Sequence, residues 1–199
     1  MTSIPSPTNI LIVSCLLLRK SDAFDESEVK RQIISYYNLL RDIHNSPALI
    51  VDEALNYSAS EWARHLSTQT NDEQCLYHSR HGGENIYFAW STRGLTEEVF
   101  TRQAIRAFYE ENIYYNYSNP GLNLPAAHFT NMVWRNCEKI GIGVYHMNYT
   151  SAHGACRIKA SKRRPAIGYV LVVHQWPPSN VITQFEDNVL PPRRRYTFA

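Results

Sequence analysis

The stretch Lys139-Ile140-Gly141-Ile142-Gly143-Val144-Tyr145 alternates glycine with apolar residues. A period of two sends successive side chains to opposite faces, so the pattern predicts a half-buried strand over Lys139–Met147. Ile167–Val173 is β-branched and aromatic and stops short of Pro177-Pro178, which predicts a second strand. Earlier in the chain the period changes to three and four. Glu26–His44 carries Val29, Ile33, Tyr36-Tyr37, Leu40 and Ile43 on one helical face, with Asp25 or Ser27 as its cap and Ser46-Pro47 as its end. Asp52–Ser67 reads as a second helix, with Leu55, Ala59, Trp62, Ala63 and Leu66 on one side. A third, Thr96–Ile113, turns Val99, Ala104, Ile105 and Phe108 toward the core. Helices early and strands late, without βαβ alternation, predict an α+β fold. At 199 residues, with no repeat and no dividing linker, the chain is expected to form one domain.

The candidate chemistry sits in three segments. His128 stands in Ala127–Asn136 among aromatic and apolar residues, after the turn-rich stretch from Asn119-Pro120-Gly121 to Leu124-Pro125. An imidazole so placed is either a satisfied core group or a site residue. Upstream lie His78-Ser79 and Gly82-Gly83-Glu84-Asn85, where the glycines permit backbone angles that let Glu84 turn inward. Phe108-Tyr109-Glu110-Glu111 lies between. Two imidazoles and two carboxylates are adequate ligands for a borderline divalent ion such as zinc. Three readings follow: a metal site without catalysis, a metal-assisted hydrolase with glutamate as general base, or four polar groups that hold a cleft together. The hydrolase reading lacks an H-E-x-x-H pair, a G-x-S-x-G elbow and an obvious serine or cysteine nucleophile beside these histidines.

These blocks resemble the CAP superfamily: cysteine-rich secretory proteins, venom antigen five and plant pathogenesis-related proteins of group one. The "HS…GEN" block matches His78-Ser79 and Gly83-Glu84-Asn85. "W-Y-x-E…Y-N-F" matches Phe108–Glu111 followed by Tyr115-Asn116-Tyr117, and "G-H-F-T-x-M-V-W" matches 127–134 with Ala127 for glycine. Pro177-Pro178-Ser179-Asn180 is similar to "P-x-G-N", and the ending Phe185–Pro192 resembles the Golgi-associated plant pathogenesis-related branch. The resemblance spans roughly residues 29 to 192. It implies a three-layer α-β-α sandwich around a mostly antiparallel sheet, and a cleft formed by His78, Glu84, Glu111 and His128. The downstream Tyr115-Asn116-Tyr117 selects Glu111 over Glu110; His81 competes with His78, which has the fitting Ser79 neighbour. It further implies a non-enzymatic protein that binds lipid (sterol, fatty acid or acidic phospholipid) or a partner protein, with an optional divalent metal. Tyr109, Tyr114, Tyr115 and Tyr117 would then line an apolar groove with polar tips; the alternative is ordinary core and rim aromatics.

Compartment follows from the ends. Ile10–Leu18 is an apolar run of signal-peptide length, with small residues at Ser21-Asp22-Ala23, although residues 2 to 9 carry no Lys or Arg. The expectation is a signal over 1–23, a domain over 24–192 and a basic tail over 193–199. The protein would then be extracellular; otherwise it is cytoplasmic or associated with the Golgi membrane. Removal of 1–23 leaves Cys75, Cys137 and Cys156, an odd number. In the resembled family Cys75 would be paired, but the partner beside His128 is absent and His174-Gln175-Trp176 stands where a cysteine block is expected. These departures favour the less disulfide-dependent branch. Sequons occur at Asn56, Asn116 and Asn148. Net charge is +2, so no nucleic-acid partner is implied; Lys159–Arg164 and Arg193-Arg194-Arg195 are basic runs that can meet an anionic membrane. Both runs are expected to be exposed and mobile, and a homodimer is compatible with everything above.

Overall fold

Asp25, not Ser27, starts the first helix: its carboxylate accepts from the N–H groups of Ser27 and Glu28 at 2.9 and 3.3 Å. In this computed structural model, which describes residues 24–68, 76–149 and 166–198, that helix is α1, Glu26–Ile43. Its stripe of Val29, Ile33, Tyr37 and Leu40 is buried. Strand β1, Ile50–Val51, follows, then α2, Glu53–Thr68, capped by Asp52 through the N–H groups of Ala54 and Leu55. Strand β2 is Glu84–Ser91 and α3 is Glu97–Tyr109. The expected continuation of α3 to Ile113 tightens into a 3-10 turn, Glu110–Tyr114, where the Asn112 side chain takes the Tyr109 carbonyl at 2.6 Å. Helix α4, Ala127–Val133, precedes β3, Lys139–Tyr149, and β4, Ala166–Trp176; α5 is the single turn Phe185–Asn188.

The sheet order is β1-β3-β4-β2, parallel only between β1 and β3. Helix α2 covers one face over Ala59, Ala63, Leu66, Ile86, Val170 and Val172. Helices α1, α3 and α4 cover the other over the larger core. The result is the expected three-layer α+β sandwich. The glycines of β3 explain how closely α2 sits: a Cβ on Gly141 would lie 2.1 Å from the Leu55 carbonyl carbon, and one on Gly143 would lie 2.1 Å from the backbone of Ala59. The alternation of glycine along β3 is therefore a helix-packing track.

Arg41 ties α1 to the loop after α4. It is wholly buried and donates to the carbonyls of Pro47, Met132, Trp134 and Cys137 at 2.7–3.1 Å. Trp134 is buried against Phe185, with ring centroids 5.0 Å apart. The expectation of a mobile basic tail is corrected. Its arginines are exposed, but Arg193 N–H bonds the Ile43 carbonyl at 2.8 Å and its guanidinium pairs with Asp42 at 2.6 Å. Tyr196 and Phe198 then pack on Tyr109. Aromatic burial holds the segment against α1 and α3.

Candidate functional site

Glu84 opens β2 and faces the α2 layer, since it pairs with His174 of β4 on the same face as Ile86 and Val172. Gly83 lets β4 approach: its carbonyl accepts from Gln175 N–H at 2.7 Å, and a Cβ there would lie 2.8 Å from the Gln175 oxygen. The Glu84 side chain is 1% exposed and every partner is a donor. One oxygen accepts from His78 Nδ1 at 2.7 Å and Ser79 N–H at 2.9 Å. The other accepts from His174 Nε2 at 2.9 Å, and Nδ1 of that ring meets Ser58 Oγ of α2 at 2.9 Å. His81 does not join the carboxylate; its ring stacks on His174, centroids 4.2 Å apart and 1° from parallel.

Glu111 is held differently. One oxygen bonds His128 Nδ1 at 2.7 Å, and the other accepts the N–H groups of His128 and Phe129 at 2.9 and 3.3 Å, in the first turn of α4. Those amides have no partner within the helix, so a carboxylate there satisfies them. The His128 ring stacks on Phe108 at 5.1 Å. Glu110, the rejected register, turns away to Arg106.

The structure thus brings His78 to Glu84 and His128 to Glu111, as two pairs flanking the start of edge strand β2. Adjacent strand residues point to opposite faces, and Asn85 carries the link: its Nδ2 donates to the His128 carbonyl at 3.0 Å and its Oδ1 accepts from Asn131 at 2.9 Å. Ser179 Oγ closes on Asn131 at 2.7 Å, and Asn180 bonds Thr130 and Ala127. Among the described residues, no group of three or more His, Cys, Asp or Glu side chains is arranged to hold a metal. What the two pairs share is orientation. Each Nδ1 is taken by a carboxylate, and neither Nε2 has a protein partner among the described residues. His78 is 63% and His128 35% exposed at the side chain.

Burial would raise the Glu84 carboxyl, but the bonds from His174, His78 and Ser79 outweigh it and hold it at about 2. The hydrogen bond to Glu84 raises His78 above the usual imidazole value against its partial burial. Burial and the neighbouring His174 lower His81. A carboxyl whose folded value lies below its unfolded value stabilises above the unfolded value and loses that contribution as pH falls toward the folded one. Glu84 should therefore support the fold fully at neutral pH and progressively less between about pH 5 and pH 2. Glu84→Gln is expected to cost on the order of 2 kcal/mol at pH 7 and to flatten that acid limb, as read from urea midpoints across the pH range.

The tyrosines expected in a groove divide. Tyr109 and Tyr115 are buried in the larger core, and Tyr109 Oη meets His44 at 3.1 Å. Tyr117 is half-buried against Tyr115, and Tyr114 is exposed. Of the arginines, Arg193 and Arg194 both approach Asp42, at 2.6 and 3.9 Å. Cys75, Cys156, residues 1–23 and the Lys159–Arg164 run lie outside the described residues; Cys137 is a free, buried thiol. His174, Ser58, Asn85 and Asn131 were not among the expected site residues. A histidine directly following the β-branched run of β4 was the available signal for His174.

The family model for the cysteine-rich secretory protein family, CAP, matches residues 34–158. The chain belongs to the CAP family. Human Golgi-associated plant pathogenesis-related protein 1 is 29% identical over 171 residues, 82% of this chain and 93% of that protein. A probable pathogenesis-related protein of Arthroderma benhamiae is 30% identical over 160 residues, 79% of this chain but 47% of that protein. Among solved structures, MpPR-1i shares the fold at 16% identity, covering 78% of this chain and 92% of that one, with a TM-score of 0.52. NaASP2 with Zn2+ does so at 17% identity, 81% and 85% coverage and a TM-score of 0.52. No helix among the described residues of this CAP domain is long and apolar enough to cross a membrane.

Proposed function

We propose that this CAP domain is a non-catalytic binding module whose cleft takes a divalent metal, zinc first among candidates, on the Nε2 atoms of His78 and His128. The observation that supports this is the matched Nδ1 pairing with Glu84 and Glu111. A carboxylate on one ring nitrogen fixes the tautomer and aims the other nitrogen's lone pair outward, as around ligating histidines generally. The donor set fits zinc: two neutral imidazoles that leave positions for water or for atoms of a bound partner. The two glutamates then orient rather than ligate. NaASP2, a structural neighbour, has been solved with Zn2+. The metal would supply a Lewis-acid anchor for an anionic or carbonyl-bearing ligand group.

Thermal melting tests the site. At a zinc concentration one hundred times its Kd, binding adds about 2.7 kcal/mol, a rise of about 5–10 °C for a chain this size. The shift should vanish with chelator and in His78→Ala/His128→Ala, measured near pH 8 because His78 protonation competes with metal. An equal shift in the double variant would place the metal elsewhere.

The class of partner is lipid or protein. The exposed ring of Tyr114 and the exposed Arg195 supply contact groups for an anionic surface. Electrostatic attachment should fade as salt shortens the screening length from about 10 Å at 0.1 M to about 3 Å at 1 M. Co-sedimentation with phosphatidylinositol-containing vesicles is expected to fall across that series. Pelleting with neither anionic nor sterol-containing vesicles would leave protein recognition.

A further inference from the structure

We propose that Ser58 and His174 are positioning residues that set the aim of His78 through Glu84. The chain of contacts is continuous and crosses three elements. Ser58 Oγ of α2 meets His174 Nδ1 at 2.9 Å; His174 Nε2 meets one Glu84 oxygen at 2.9 Å; the other oxygen meets His78 Nδ1 at 2.7 Å. Both central groups are buried, His174 at 3% and Glu84 at 1% side-chain exposure. An ionised carboxylate can only accept, so each imidazole presents an N–H to it. That requirement fixes both ring tautomers at once. His174 carries its proton on Nε2, and neutral His78 carries its own on Nδ1, leaving Nε2 as the free lone pair. His81, stacked flat on His174, blocks rotation of that ring.

The two halves of the cleft therefore have different foundations. Glu111 is held by backbone amides at the start of α4, which no side-chain substitution removes. Glu84 is held by the Ser79 N–H on the oxygen that meets His78 and by the His174 side chain on the other. Ser58 itself is not arranged as a nucleophile. Its Oγ lies inside the α2–sheet interface and is shared with the Leu55 carbonyl at 3.1 Å.

This rests on the reading of His78 as the metal-facing imidazole, and the decisive measurement avoids metal. Long-range 15N–1H spectra of the metal-free protein report each histidine's tautomer. In the wild type, His78 and His128 should both be Nδ1–H. His174→Leu should leave one Glu84 oxygen without its donor and let the carboxylate swing off His78, which then shifts toward the Nε2–H form, while His128 stays unchanged, which also shows that the fold persists. His174→Gln, which restores a donor to Glu84, should restore the His78 signal. Ser58→Ala should give a smaller shift in the same direction and serves if His174→Leu does not fold. Zinc titration of the same set should weaken by about 10–100-fold in His174→Leu and recover in His174→Gln. An unchanged His78 tautomer in folded His174→Leu or Ser58→Ala overturns the proposal. So does labelling of Ser58 by a fluorophosphonate, which would make the same chain a nucleophile and its base. The expected tautomer shifts in a protein that binds no zinc would uphold the positioning chain and remove the metal reading alone.

Discussion

Replacing Arg41 with methionine is expected to cost about 4 kcal/mol, because it takes a donor from four carbonyls, three of them in buried contacts, at about 1–3 kcal/mol each. That is a large share of the roughly 5–15 kcal/mol by which a domain is stable. Among the described residues, no carboxylate pairs with Arg41. Burial lowers its pKa to about 10, and burial also pushes the neighbouring Cys137 thiol up to about 12, so the thiol stays neutral beside it. The guanidinium is instead solvated by the backbone of residues 132–137 and by Pro47. Arg41→Lys should rescue little, since one ammonium on a flexible stem cannot reach carbonyls spread around a planar fork. Urea unfolding checks this: a fallen midpoint at unchanged slope means lost stability, whereas a changed slope means the loop has come away in the native state.

Gly143→Ala should be nearly as damaging, at more than about 3 kcal/mol, the upper end for overpacking. The added carbon would lie 2.1 Å from the backbone of Ala59, and a helix backbone cannot yield as a flexible side chain does. Helix α2 must lift, which also draws Ser58 from His174. Gly121→Ala is the control: nothing lies within 4 Å of its added carbon, and the change should stay within about 0.5 kcal/mol. Melting temperatures of the pair read the difference directly, with a fall of several degrees in the first only.

The long elements were legible because their periods are unbroken. α1, α2, β3 and β4 lie close to where alternation and helical spacing put them. β1 was not, since two residues have no period. β2 and α4 were hidden inside stretches singled out for their polar residues. The β-branched run places the end of β4 too early, at Val173, because His174 breaks it, although the backbone continues the ladder to Trp176. Around the site, the acidic and basic members stood out by residue type. Arg41 did not: an arginine beside an apolar stripe looks like a solvated residue, and its partners are carbonyls that every sequence contains. Likewise, nothing in a helix sequence marks Ser58 as a serine that faces a buried imidazole.

The spacing of the two carboxylate pairs along the chain has a temporal consequence. Glu111 meets its histidine 17 residues later, whereas Glu84 meets His174 only 90 residues later. At about 5–20 residues per second of synthesis, a ribosome offers the Glu111 pair within a few seconds. It leaves Glu84 without its buried partner for about 5–18 s. Until β4 emerges, the carboxylate that ends up most deeply enclosed must remain in water, so the His78 half of the cleft takes its shape after the His128 half.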